Sequence, residues 1–497
     1  MQAWDDLTTR IRELDALGSA NALLEWDQQT YMPPRAADAR GDQLALLQRL
    51  YHERFTDPAV GAWLDQLEAT ELDPTQRVAV HNLRRKYRRA VCLPTRLVED
   101  LAKARNDGFG AWVAAKQADD FSGFEAPLQR LLDLAREQVE FYRTPEHAHP
   151  YDALLEDYDP GSTVAELRPM FDRLAGELGT FLAAVDGRAH AEGFDARLDI
   201  DGQKRLSQRV LRDMGYDMQG GRLDLAAHPF STGIAHGDVR LTTRYEEDNL
   251  LSGLGSTIHE GGHGLYEQGL PSRLAGTWLN SAASYGLHES QSRFWENFVG
   301  RSLPFYRYLV PRMQAIWPDL AVTPEQLYGA ANRVERTLIR VEADEATYNL
   351  HIIVRFSLEV EIFGGKLQAR DLPEAWTEAY RRIVGVVPPS PKTGVLQDVH
   401  WSSGLLGYFP SYTLGNLYAA SLAQCLLRDL PDLWHRVEHG DFAPILGWLR
   451  TRIHDRGHTA DAPVIVRDVI GDRDPVADLV AHLWSRHGAV YGVARPS

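Results

Sequence analysis

The chain has 497 residues, 44% hydrophobic, 25% charged and 9% aromatic, with Lys+Arg 53 against Asp+Glu 69 and a formal net charge of −16 at pH 7. That is apolar material enough for a sizeable core and excludes a disordered chain, while the acidic balance argues against a general nucleic-acid binder, which needs a basic footprint. The two cysteines, Cys92 and Cys425, supply neither a disulfide framework nor a thiolate metal cluster and fit a reducing cytoplasm.

The first residues, MQAWDDLTTRIRELDALG, are charged and hold no apolar h-region, so no signal peptide is expected. No segment approaches the roughly 18 apolar residues of a membrane span; the chain reads as soluble, cytoplasmic and without a membrane partner. Helical spacing sets in at 42–51, where Leu44, Leu47, Leu50 and Tyr51 share a face. It recurs at 96–117, 127–142 and 164–190, the last with Leu167, Phe171, Leu174, Leu178 and Leu182 on one stripe. Further helices are expected at 279–300, 325–363, 374–385 and 413–429. Partial alternation over Asp238–Tyr245 predicts a strand, and Pro463–Val469 is a weaker one. Turn chemistry marks loops at Met32–Ala37, Thr144–Ser162, Asp217–Gly237 and Gly385–Gly394. Length alone suggests about three domains. No low-complexity linker or internal repeat divides the chain, however, so the expectation is a mainly α protein with one small sheet, residues 1–497 forming two helical lobes around a cleft.

A basic run, Arg84, Arg85, Lys86, Arg88 and Arg89, would cover most of a helix circumference. It reads as a solvated face, with docking of acidic partners as the alternative, and no function is assigned to it.

The chemistry concentrates in LGSTIHEGGHGLYEQG, residues 254–269. His259 and His263 lie four apart, so on a helix they share a face, about 5–6 Å apart at Cβ, and can clamp one ion. Glu260 beside them can take a proton from a water acidified by zinc. Gly253, Gly255, Gly261, Gly262 and Gly264 each cost about 1 kcal/mol in a helix, which suggests close approach of another backbone or a ligand. A catalytic zinc usually takes a third protein ligand. Glu289, 26 positions after His263, is favoured because small residues around it let helices approach. Glu296, two turns on, is the alternative, and His288 ranks lower because adjacent helical residues point about 100° apart. Arg340 and Asp344, four apart with Arg336 on the same stripe, are either a surface ion pair or site material. The stretch 394–416, with His400, Tyr408 and Tyr412 among glycines and aromatics, makes a poor core helix but a plausible cleft-lining loop.

Taken together, these residues resemble the carboxypeptidase Taq family of zinc metallocarboxypeptidases along nearly the whole chain. WDQQTYMPP (Trp26–Pro34) and YDALLEDYDPG (Tyr151–Gly161) are like the family's own. Six ordered motifs follow: HPF at His228–Phe230, DxRxT in Asp238, Arg240 and Thr242, HExxH at His259–His263, HESQ at His288–Gln291, IRxxAD at Ile339–Asp344 and GxxQDxHW at Gly394–Trp401. The resemblance implies a large helical, neurolysin-like fold with a deep substrate groove and a small sheet near the active site, often as a homodimer. It implies release of single C-terminal residues with broad specificity, proline disfavoured. Carried over, His259, His263 and Glu289 bind one Zn2+, Glu260 is the general base, and Arg340 holds the substrate carboxylate. The segments of His228 and of Asp238, Arg240 and Thr242 are associated with substrate binding.

Physical chemistry agrees with these roles. An exopeptidase must grip a terminal carboxylate, for which arginine offers a planar fork, and Asp344 could orient Arg340. The strand Asp238–Tyr245 could present its backbone to an extended peptide. The developing oxyanion needs a donor besides the metal, and His400, Tyr408 and Tyr412 are the candidates. His/carboxylate ligands also accept Co2+ or Mn2+. A metallo-oligopeptidase cutting internal bonds of short peptides, and a non-catalytic peptide-binding protein, are the competing readings.

Overall fold

The computed structural model describes residues 2–189 and 193–496. The chain opens on α1 (Gln2–Thr30), α2 (Ala37–Phe55), α3 (Pro58–Glu68), α4 (Pro74–Val91), α5 (Thr95–Ala118) and α6 (Ser122–Tyr142). A short α7 (Asp152–Leu155), then α8 (Val164–Val185) and α9 (Ile200–Met214), lead into β1 (Gly221–Leu225), β2 (Ser231–Ala235) and β3 (Asp238–Thr243). Next come α10 (Leu250–Glu267), α11 (Tyr285–Arg293), α12 (Leu303–Ile316), α13 (Pro324–Ala331), α14 (Tyr348–Phe363) and α15 (Leu372–Ala379). The chain continues through α16 (Pro410–Asp429), α17 (Leu433–His439), α18 (Ala443–Arg452), α19 (Ala462–Ile470) and α20 (Pro475–Tyr491). The expected mainly α fold with one small sheet is what forms. No helix is long and apolar enough to cross a membrane among the described residues.

Several helices begin where a side chain takes over an orphan backbone N–H. Asp73 and Gln76 form a reciprocal cap on α4, Asn249 caps α10 through Ser252 N, and Ser284 caps α11 through Leu287 N at 2.9 Å. Two large hydrophobic clusters flank α16. One joins Phe171, Ile352, Leu422 and Leu483; the other joins Leu211, Ile258, Leu309, Leu426 and Leu449. A smaller cluster ties α1, α3 and α4 together through Leu7, Leu64 and Leu83.

Several expectations are corrected. Residues 325–363 are not one helix, because α13 ends at Ala331 and α14 starts at Tyr348. Between them the Asp344 carboxylate accepts from the backbone N–H of Glu335, Ala346 and Thr347, so a side chain competes with the helical ladder and holds an irregular loop. Pro463–Val469 is no strand but part of α19, whose buried Ala462, Ile465, Val466 and Ile470 follow a helical stripe. The loop expected at Asp217–Gly237 contains β1 and β2, half-exposed edge strands with no clean alternation. The helix expected to run from 164 to 190 stops at Val185, and residue 190 lies outside the described residues.

The sheet order is β1-β3-β2, with β1 parallel and β2 antiparallel to β3. The central strand therefore spends its backbone groups on both neighbours and cannot present them to a peptide, contrary to the expectation for Asp238–Tyr245.

Candidate active site

Helix α11 packs against both α10 and α16. A Cβ on Gly262 would lie 2.6 Å from Ser292 Cα, and one on Gly415 would lie 2.5 Å from Glu289 Cγ. Only glycine lets the three helices approach so closely, which meets the expectation of another backbone against the glycine-rich helix.

This approach brings His259 and His263, one turn apart on α10, against Glu289 of α11. Glu289 Oε2 lies 3.7 Å from His259 Nε2 and 3.3 Å from His263 Nε2, and one ligand atom from each residue falls within 4.8 Å of the others. Donors roughly 2.1 Å from one tetrahedral cation stand about 3.4 Å apart, so the three side chains fit a divalent metal.

Each ligand is itself held in place. His259 Nδ1 meets Glu296 Oε2 at 2.8 Å, and Glu296 is gripped by Arg293 at 3.3 Å and Arg301 at 3.1 Å. His263 Nδ1 meets His288 Nδ1 at 2.5 Å, and His288 Nε2 meets Glu267 Oε1 at 2.8 Å. Glu289 Oε1 accepts from Arg293 Nε at 2.7 Å. The two alternative ligands, Glu296 and His288, thus stand behind the histidines. Past Arg293 the helix widens over Phe294–Val299, Gly300 N–H reaching back to Trp295 O. Glu296 lies within this wide turn, its carboxylate on the Nδ1 side of His259.

The electrostatics suit a cation. Burial works against the charge of Glu289, yet Arg293 and His259 hold its carboxyl well below the usual range. Burial likewise opposes a charged His259, but Glu289 and Glu296 push it up to about 9. Glu260, buried on the groove wall, is pushed up to about 7 by burial, with His259 opposing and Glu289 adding.

The triangle opens on a groove of about 1170 Å³ whose wall includes His228, Phe230, Glu260, Arg340, Tyr348, Tyr408 and Tyr412. Arg340 sits on a single 3-10 turn, Arg340–Glu342, not on an α-helix, and Asp344 is not its partner. Asp398 is: its Oδ1 accepts from Arg340 Nε at 2.9 Å and lies 2.8 Å from Nη2, while Oδ2 binds Arg355 at 2.7 Å. Arg340 Nη1 also donates to Tyr348 OH at 3.0 Å, and Gln397 Oε1 accepts from Arg340 N and Arg355 Nη2. Arg336 points elsewhere, to Asp186 at 2.9 Å.

The remaining expected residues divide. Tyr408 and Tyr412 face the groove with rings 5.2 Å apart. His400 is buried behind them, Nε2 3.4 Å from Tyr412 OH and its ring packed, tilted by 34°, against Phe409. Asp238, Arg240 and Thr242 do not line the groove. Asp238 binds Arg240 at 2.8 Å, Arg240 lies over the Trp26 ring at 4.3 Å, and Thr242 is bonded to Phe230 N at 2.9 Å and Phe230 O at 3.2 Å. Through Phe230, Thr242 ties down the segment His228–Ser231, which does line the groove, while Asp238 and Arg240 pair with Ala235 and Thr232 of β2. Sequence reasoning left Asp398, Gln397, Arg293 and Arg301 without roles. For the first two the signal was the QD pair inside GxxQDxHW, since a buried acid beside a glutamine needs partners.

A sequence model of the carboxypeptidase Taq (M32) metallopeptidases matches residues 6–487. The chain is 44% identical to thermostable carboxypeptidase 1 of Thermus thermophilus, covering 99% of both, and 34% identical to carboxypeptidase 1 of Bacillus subtilis, covering 97% of both. Its fold is similar to a crystal structure of an M32 carboxypeptidase from Deinococcus radiodurans, with TM-score 0.96, 36% identity and coverage of 99% and 100%.

Proposed function

This chain belongs to the carboxypeptidase Taq (M32) family and is a metallocarboxypeptidase, a peptide hydrolase, and from that premise we propose that it releases single C-terminal residues with broad specificity, proline disfavoured. His259, His263 and Glu289 would hold one Zn2+, with Co2+ or Mn2+ able to substitute, as imidazole and carboxylate donors permit. When bound, such a cation acidifies water in its coordination sphere to a pKa of roughly 7 and polarises the scissile carbonyl.

The chain's own groups do the rest. Glu260 accepts the proton of the attacking water and returns it to the departing amine. Arg340 receives the terminal carboxylate: Arg340 and Arg355 share the single carboxylate of Asp398, so the trio keeps one positive charge to offer. That residual charge, on the wall of the same groove as the three-ligand triangle, is the observation that carries the exopeptidase reading over internal cleavage. Tyr408 and Tyr412, which line the groove, donate to the developing oxyanion, and His400 orients Tyr412 from behind. His228 and Phe230, at the approach to the edge strand β2, replace β3 as the backbone that meets an extended peptide; Thr242 holds that segment through Phe230, and Asp238 and Arg240 hold β2 behind it.

The proposal extends to one catalytic domain over 1–497 with two helical lobes, a homodimer by family resemblance, and a cytoplasmic location, which the free Cys92 and Cys425 favour. Mass spectrometry of one peptide and its C-terminal amide, each with and without a chelator, tests it. Single losses from the free C-terminus, absent for the amide and abolished by chelation, are expected. Internal fragments from both peptides would instead establish an oligopeptidase, and no cleavage by metal-loaded protein a binding protein.

A further inference from the structure

One stretch of the groove wall takes no part in this chemistry. The basic run on α4 does not face solvent alone, because Arg85, Lys86 and Arg89 all reach the groove, as does His458. Their circumstances differ. Arg89 is fully engaged: its guanidinium binds Asp157 at 2.8 Å, donates to Ala153 O at 2.9 Å and lies on the Tyr142 ring. Arg85 makes only long contacts, 3.4 Å to Asp461 and 3.7 Å to Glu156, and its Nη2 is buried without a hydrogen-bond partner among the described residues. Lys86 has no carboxylate within ion-pair distance among the described residues; its ammonium rests 5.0 Å from the centre of the Trp278 ring. His458 is buried, and its Nε2 also lacks a hydrogen-bond partner among the described residues, the Asp461 carboxylate standing off at 3.7 Å.

These groups form one cluster held from several sides. Asn82 of α4 donates to His458 O at 3.2 Å, and His458 N donates to Leu279 O. Burial, and the charges of Lys86 and Arg85, lower the pKa of His458. The platform under Lys86 is itself strained. Trp278 adopts φ +66°, a left-handed conformation that bulky residues rarely take, and stacks on Phe55 at 5.5 Å. Packing that enforces this conformation fixes an aromatic face where it holds the Lys86 ammonium at the groove wall. Buried donors left unbonded are costly, and strained residues collect at ligand clamps.

We propose that Lys86, Arg85 and His458 form a carboxylate subsite for an aspartate or glutamate side chain of the peptide substrate, separate from the terminal-carboxylate clamp at Arg340. Three carboxylates, Glu156, Asp157 and Asp461, balance the three cations of the wall, so selectivity rests on directed donors rather than on a net field. This assignment rests on the peptidase reading above and names a substrate preference within it.

The test is a set of paired peptides with one fixed C-terminal residue, in which Glu and Gln are exchanged at each position in turn. The terminal carboxylate is common to every pair, so any preference comes from the side chain. At one position the wild-type enzyme should favour Glu over Gln in kcat/KM by about tenfold, the worth of one charge-assisted hydrogen bond. The ratio should fall to near one in Lys86→Gln, persist in Lys86→Arg and invert in Lys86→Glu. Because the readout is a ratio within each enzyme, losses common to both peptides cancel. Equal hydrolysis of Glu and Gln peptides at every position, or a ratio that survives in a folded Lys86→Gln, overturns the subsite while leaving the peptidase standing. Failure of the wild type to cleave any of the peptides overturns the peptidase reading, and the subsite with it.

Discussion

Arg340 and Asp398, 58 positions apart in sequence, form a buried ion pair in which one aspartate oxygen serves two nitrogens of the guanidinium, at 2.9 and 2.8 Å. The other oxygen serves Arg355. The aspartate thus fixes the plane of Arg340 without cancelling the charge of both arginines, which is the condition for a guanidinium to bind a substrate carboxylate with a preset fork.

Asp398→Asn should therefore damage both stability and recognition. Two buried guanidiniums would lose their counter-charge, a loss of about 3–5 kcal/mol. Burial opposes the charge of Asp398, but Arg355 and Arg340 hold its carboxyl well below the usual range. A depressed carboxyl contributes stability that is full above its unfolded pKa and is lost as pH falls toward the folded value. Denaturant melts of wild type and variant should accordingly differ most above about pH 4 and converge in stronger acid; a difference independent of pH would remove Asp398 from this role.

Glu260→Gln keeps the shape of the side chain and removes its basicity. Bound metal should stay at the wild-type ratio, since Glu260 is not one of the three side chains that converge on the metal position, while kcat falls at least about 100-fold. Elemental analysis beside steady-state kinetics decides it. A variant that turns over normally would shift the base to another group.

The parts of the site legible in the sequence were those fixed by local geometry. His259 and His263 needed only a helical repeat of four, and Glu289 only a helix returning beside the first. The stripe of Leu167, Phe171 and Leu174 was legible for the same reason. What escaped depended on distant partners. Arg340 was read against Asp344 because both lay in an apparent helix, whereas Asp344 uses its carboxylate to break that helix and Asp398 arrives from another loop. Long α1, with Leu7, Ile11 and Leu14 but few other buried residues, shows weak periodicity because most of its length meets solvent. The edge strands β1 and β2 lacked alternation because neither has a fully buried face.

Glu359 gives a second stability test away from the metal. It is buried, with Oε1 accepting from Trp401 Nε1 at 2.7 Å and Oε2 from Tyr151 OH at 2.5 Å and Gly407 N at 3.0 Å. Burial nevertheless pushes its carboxyl up to about 7. A raised carboxyl makes the folded state the better proton acceptor, so its contribution is present below the unfolded pKa, near 4.5, and is lost as pH rises through about 7. The stability of the wild type relative to Glu359→Gln should drop across that window by up to on the order of 3 kcal/mol. Parallel pH profiles for the two proteins would mean that the three donors keep Glu359 ionised throughout.

Gly262→Ala sets helix propensity against packing. Alanine is the better helix former by about 1 kcal/mol, so at an open position the change would stabilise α10. Here the new Cβ would stand 2.6 Å from Ser292 Cα and 2.7 Å from Gln291 O, backbone atoms that cannot rotate aside, and such overpacking costs about 1–3 kcal/mol. Packing should win, and the two helices part. His263 lies one residue from the contact on α10, and Glu289 lies one turn from it on α11, so their 3.3 Å approach widens with the helices. Metal affinity should fall about tenfold or more, measured by competition with a chelator, together with a lower melting temperature of the metal-free protein. Gly255 faces open space at its own Cβ position, so Gly255→Ala should show neither the packing loss nor the fall in melting temperature. If Gly262→Ala instead melts higher and binds metal as tightly as the wild type, close contact between α10 and α11 is not what sets the spacing of the ligands.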